Sequence, residues 1–198
     1  MRRSEFLRVV FLALVFLSPA LAAAPAAYRI DPLHTRVLFR VEHDGFSSTM
    51  GTFSRPEGRL WFDPANWATA RLEVTINLET LDLGDADFDA RILSRAWLDA
   101  GAHPHARFVS TAVEPIDGNH ARLHGTLTLR GVSAPLTLDV RLNRHARTPY
   151  NAMRRTAGFS ASTTLSRSAF GMKAHRRAVD DAVHVMIEAE AIRVREGE

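Results

Sequence analysis

Residues 123–142, LHGTLTLRGVSAPLTLDVRL, restrict the fold more than any other stretch of this chain. Leu123, Gly125, Leu127 and Leu129 alternate with His124, Thr126, Thr128 and Arg130. The run 131–135 is expected to form a tight turn. After it, Leu136, Leu138, Val140 and Leu142 share one face and Thr137, Asp139 and Arg141 the other. A period of two with one apolar and one polar face is the pattern of a half-buried antiparallel strand. The same period recurs at 35–43, 70–80, 156–166 and 182–194, with shorter strand pieces at 28–31, 51–53, 58–62 and 107–114. Residues 44–50 and 144–155 are polar and turn-like. The period changes to helical spacing only at 85–98, through Phe88, Ile92, Leu93 and Trp97, behind the acidic Asp85, Asp87 and Asp89. About eight strands, one helix and no β-α-β rhythm predict an all-β fold, an antiparallel barrel closed to remove its edges. The helix is expected to lie against the barrel or across its mouth.

The amino terminus is expected to stand apart from that fold. Arg2, Arg3 and Arg8 precede the apolar run 9–17, and small residues follow at Ala20 and Ala22. This is the layout of a cleavable export signal covering residues 1–22, cut before Ala23 or, as the second choice, before Pro25. The run is too short for a membrane span. Arg2-Arg3 has only a loose likeness to a twin-arginine signal, so ordinary export to the periplasm, or secretion, is expected. The leader carries three arginines and one glutamate, so its removal lowers the formal charge from +3 to +1. A charge so small makes no case for a nucleic-acid partner. Cysteine is absent, which excludes disulfides, thiol catalysis and cysteine metal sites.

Two barrels fit the alternation, one with apolar faces inward and one with them toward a bilayer. The opposite faces decide for the inward form. Arg71, Glu73, Thr75, Asn77 and Glu79 on one strand and Arg36, Arg40 and Glu42 on another would need many internal ion pairs inside a lumen. Aromatic girdles are also missing, with three Trp and two Tyr in the chain. The apolar faces include the small groups Gly125, Ala157, Ala161, Thr163, Ala189 and Ala191. Either they leave a void that a long apolar ligand fills, or Phe39, Phe53, Phe62 and Phe159 fill it.

No nucleophile elbow, phosphate loop, dinucleotide fingerprint or HExxH motif is present. His103 and His105 lack an obvious third metal ligand. Asp85–Asp89 lacks the glycine and terminal glutamate of a calcium loop. No catalytic residue and no metal site is expected. His34, His43 and Arg167 flank strand ends, where they either tie loops together or face a barrel mouth.

Six segments in order resemble the YceI-like family. They are Tyr28-x-Ile30-Asp31-x-x-His34 leading into Val37-x-Phe39-x-Val41-x-His43-x-Gly45; Gly51-x-Phe53 with Gly58 and Phe62-Asp63-Pro64; Trp97-Leu98-Asp99 with Pro104 and Phe108; residues 125–138; Ala157-Gly158-Phe159; and Arg167-Ser168-x-Phe170-Gly171 with Asp181-x-Val183. Thr35 stands where the family usually has serine, and residues 81–84 depart from its more usual Asp-Thr segment. The resemblance implies an extended eight-stranded antiparallel lipocalin-like barrel over residues 23–198. It also implies a tunnel for a polyisoprenoid lipid, such as the isoprenoid quinone ubiquinone or a prenyl phosphate. A homodimer and a membrane b-type cytochrome partner are further implications of the resemblance, and no catalytic cofactor is among them.

Strand alternation then places Val37, Phe39, Val41, Phe53, Leu72, Val74, Ile76, Phe108, Leu127, Leu138, Phe159, Ala161, Val185 and Ile187 on the tunnel wall. His43 and Arg167 are the candidates to meet a polar headgroup. Two other classes remain open at this point: an enzyme acting on a lipid or a small apolar substrate, and an interaction protein with a filled core.

Overall fold

The computed structural model describes residues 24–195, so the expected leader lies outside the described residues. Its strands are β1 (Ala26–Ile30), β2 (Arg36–His43), β3 (Ser47–Ser54), β4 (Glu57–Phe62), β5 (Arg71–Asn77), β6 (Leu81–Asp82), β7 (His105–Pro115), β8 (His120–Leu129), β9 (Val132–Arg147), β10 (Arg155–Ser166) and β11 (Val179–Arg193); one helix, α1 (Ala86–Leu93), follows β6. All pairings are antiparallel.

These segments amount to eight long strands, three of them interrupted. β1 and β2 both pair with β11, through Tyr28 with Arg193 and Val37 with Ile187. β3 pairs with β2 while β4 pairs with β1, so the two interrupted strands run side by side. β5 and β6 continue the pattern against β4 and β3. The ring closes as β1–β4–β5–β7–β8–β9–β10–β11 and back to β1. Closure leaves few free edges and makes the two faces of every strand unequal.

The interruptions are locally stabilised. Between β1 and β2, the Asp31 amide donates to Glu190 O at 2.8 Å, and the Thr35 hydroxyl accepts from Glu190 N at 3.3 Å. The hydroxyl thus takes over a rung of the ladder, a role serine and threonine both fill. Between β3 and β4, Arg55-Pro56 makes the break, where a strand tolerates a missing donor.

Several boundaries differ from the expected ones: the expected loop at 144–155 is strand as far as Arg147, the expected strand 70–80 ends at Asn77, and three further differences have local causes. The 123–142 turn is only Arg130-Gly131, both in the left-handed region at φ 54° and 73°, and Pro135 lies inside β9. Pro135 opposes Thr126 at a position that alternation leaves outside the β8 hydrogen bonds, so its missing N–H faces β10. The β9–β10 ladder accordingly stops at Asp139 with Ser162, and beyond it the Thr163 hydroxyl donates to Thr137 O at 2.8 Å. The polar run 44–50 is mostly strand, because the turn before β3 takes only residues 44–46. The expected helix ends five residues early. Asp85 caps α1 by accepting from the Phe88 amide, and after Ser94 the chain folds back, with Leu98 N donating to Ile92 O.

Candidate functional site

The charged faces point outward. Glu73 and Arg107 pair at 3.1 Å on the exterior, and Arg122 lies between Glu114 and Asp139 there. The apolar faces point inward around a cavity of about 470 Å³. Its wall is almost wholly carbon. Leu123, Leu127, Leu129, Leu136 and Leu138 of the β8–β9 hairpin all reach it.

The structure brings all sixteen residues expected at the site to that wall. Val37, Phe39, Val41 and Phe53 come from the first two long strands, and Phe39 and Phe53 pack with centroids 5.7 Å apart. Leu72, Val74, Ile76 and Phe108 come from the next two. Leu127, Leu138, Phe159 and Ala161 follow, and Val185 and Ile187 return on β11. His43 and Arg167 stand at the end of the cavity where the strands β2 and β10 finish.

The small residues divide along the barrel. Ala161, Thr163 and Ala189 border the void. Ala157 and Ala191 are fully buried in a packed cluster with Tyr28, Leu60, Phe62 and Trp67. Gly125 leaves no free volume: a Cβ there would lie 2.3 Å from Phe108 Cζ, so the Phe108 ring occupies that space. The lumen is thus packed in one half and open in the other.

One end is filled by aromatics. Phe62 meets Tyr28, Trp67 and Phe159 edge-on at centroid distances of 6.5, 5.3 and 5.4 Å. His145 joins them, with Nε2 2.9 Å from the Tyr28 hydroxyl. Burial, then Arg155 and Arg193, hold the His145 imidazole below its ordinary pKa, so the neutral ring accepts the Tyr28 proton. Burial pushes the Tyr28 phenol up, which keeps it a donor. Alternation identified Phe62 only as a candidate filler and gave no sign of Trp67 or His145. These groups lie far apart in the chain and meet only because the ring closes.

At the other end, exposed His43, Arg91 and His175 border the cavity, together with half-buried Phe88 and Ile92 of α1. Arg167 is buried here and its donors are largely committed: Nε to Asp180 O, one terminal nitrogen to Met172 O and the other to Val179 O, each at 2.8 Å. Its guanidinium also lies 5.2 Å from the centre of the Trp97 ring. Burial lowers its pKa, with Asp181 opposing that effect. Arg167 therefore anchors the loop that borders the mouth, leaving His43 the more accessible polar group. His34 is not at the mouth; it binds Asp31 at 2.8 Å on the exterior. No group of converging acid, base and nucleophile surrounds the void among the described residues.

A family model described as the YceI-like domain matches residues 28–191. Protein YceI of Escherichia coli O157:H7 is 33% identical over 192 residues, covering 96% of this chain and 98% of that protein. Among solved structures, Burkholderia cenocepacia BcnA superposes with a TM-score of 0.73 at 26% identity, covering 81% of this chain and 98% of that one. A polyisoprenoid binding domain from Saccharophagus degradans, implicated in plant cell wall breakdown, shares the fold with a TM-score of 0.65 at 13% identity, covering 85% of this chain and 99% of that one.

Proposed function

The chain belongs to the YceI-like domain family, and from that premise we propose that it binds and carries a long isoprenoid lipid in the barrel. The observation that carries this reading is the cavity: about 470 Å³ of carbon-walled volume, within the size range of ligand sites, filled by aromatics at one end and open at the other. An unfilled void of this kind forfeits packing energy, and a flexible hydrocarbon restores it. Each buried methylene contributes about 0.8 kcal/mol, so a five-carbon isoprene unit contributes on the order of 4 kcal/mol before the cost of ordering it. The apolar tail occupies the void between the mouth and the aromatic cluster, and the headgroup of a quinone or prenyl phosphate stays beside His43 at the mouth. The protein works after export, with residues 1–22 as its leader. A homodimer and a b-type cytochrome partner rest on the family resemblance alone.

Mass spectrometry of an organic extract of the native protein tests the reading directly. A co-purifying isoprenoid, or saturable uptake of added ubiquinone by the delipidated protein, is the expected result. A blank extract with no uptake overturns it. Ala161→Phe puts a ring into the void and is expected to lower uptake at least tenfold, while changing stability by less than about 1.5 kcal/mol, because open space receives the ring.

A further inference from the structure

The mouth of the cavity carries an exposed aromatic that the barrel does not use. Phe46 is 86% exposed, the second most exposed large hydrophobic residue among those described. It is the last residue of the three-residue loop 44–46 between the paired His43 and Ser47, in which Asp44 and Gly45 have φ values of 52° and 70° and the Phe46 amide donates to His43 O at 3.1 Å. So tight a turn fixes the direction of the hairpin tip. Phe46 is thus held largely in water, with little of its surface covered by the described residues.

Beside it runs a basic segment. The Asp44 amide donates to Ala178 O at 2.7 Å, and His43 pairs with Val179, which ties residues 173–179 to the hairpin. Lys173, His175, Arg176 and Arg177 in that segment are all exposed, and residues 172–178 contain no acidic residue. Lys173, Arg176 and Arg177 form no salt bridge with any described residue. The segment is held in place from both sides: His175 stacks on Trp97 with centroids 6.0 Å apart and planes 8° from parallel, and Arg167 grips Met172 O and Val179 O. The acidic groups of the rim are Glu42 and Asp44 on the hairpin, Asp180 and Asp181 just past the segment at the start of β11, and Asp82, Asp85 and Asp87 on the helix side, so the cations of 173–177 project from a border that also carries carboxylates.

We infer that this rim, Phe46 with Lys173, Arg176 and Arg177, docks on an anionic lipid bilayer. The aromatic ring enters the headgroup region and the three cations meet lipid phosphates, an arrangement in which apolar insertion and charge attraction add. Docking of this kind sets the mouth, with His43 and His175 on its border, against the bilayer, so that an apolar chain passes between membrane and tunnel without crossing water. The inference rests on the carrier reading for its purpose, and its own test is separate.

The test is co-sedimentation of the full chain with vesicles of phosphatidylcholine containing phosphatidylglycerol, and with vesicles of phosphatidylcholine alone. Any contribution of residues 1–23 is common to all variants and cancels between them. The wild type is expected to partition to anionic vesicles and to be released by high salt. Arg176→Glu with Arg177→Glu is expected to lower partitioning on the order of tenfold or more, and Phe46→Ser about fivefold. Both variants are expected to melt as the wild type does, and to take up ubiquinone from detergent solution normally. Equal binding to neutral vesicles, partitioning that survives both substitutions, or a Phe46-dependent dimer without vesicle binding overturns the inference. Vesicle binding without any ubiquinone uptake supports the docking surface and overturns the carrier reading instead. Uptake from detergent without vesicle binding overturns the docking surface alone.

Discussion

At one end of the barrel Tyr28, Phe62, Trp67 and Phe159 interlock edge-to-face around His145; at the other, His43, Arg91 and His175 border an open cavity and Phe46 projects into water. Both ends use aromatic side chains. In the first they are buried by contact with one another, and their area stabilises the fold. In the second Trp97 organises a loop and Phe46 stays 86% exposed. A barrel built with one packed and one open end has a cavity accessible from the open side.

The contrast can be broken first at the sealed end. Phe62 is 2% exposed and touches every member of the cluster. Phe62→Ala is expected to cost about 3–5 kcal/mol, measured by chemical denaturation, because the rigid ring of neighbours cannot collapse into the space. A loss below about 1 kcal/mol would show that the end is loosely packed. Next, Arg167→Leu at the open end leaves three carbonyls without their donor and is expected to lower stability by about 3 kcal/mol in the same assay. If Arg167 served a headgroup instead, the substitution would reduce lipid uptake and spare the fold.

A smaller effect separates the ends by pH. His145 is held below its ordinary pKa in the folded protein, so as pH falls below about 6.5 the unfolded chain takes up the proton first. Stability contributed by this group is therefore present above that pH and lost below it. His145→Gln keeps an acceptor for the Tyr28 hydroxyl but does not titrate. The difference in melting temperature between wild type and variant is expected to change between pH 7 and 5, and a constant difference would remove His145 from the account. On the exterior the Asp31–His34 pair has the opposite sign for its histidine: Asp31 raises the His34 pKa, so that contribution is present below about 6.5 and fades as pH rises. The smallest expected change is Phe46→Ser, within about 0.5 kcal/mol of wild type by denaturation, since that ring is largely exposed.

Much of the site was legible from alternation. Once the Glu73 and Thr75 face is placed in water, the partners on the opposite face enter the lumen, as Leu72, Val74, Leu127 and Val185 do, although Arg71 at the start of β5 also borders the cavity. Alternation assigns a face but no depth along the barrel axis. For that reason Ala157 and Ala161, four residues apart on one face of β10, looked equivalent, although one is packed and the other borders the void. The role of Arg167 was hidden for a related reason: a cation near a strand end can bind a ligand or its own loop, and only the positions of three carbonyls decide between them.

The period of two in residues 123–142, repeated along the chain and read with the charges on the opposite faces, was enough to determine an antiparallel barrel and which side chains face its interior. A side chain's face follows from local backbone geometry, which the residue order contains. Which end is sealed, how much volume is left, and where the mouth lies depended on the tertiary structure alone. Those properties arise when residues as distant as Tyr28 and His145 are brought to 2.9 Å by the closing of the ring, and no local pattern encodes that distance.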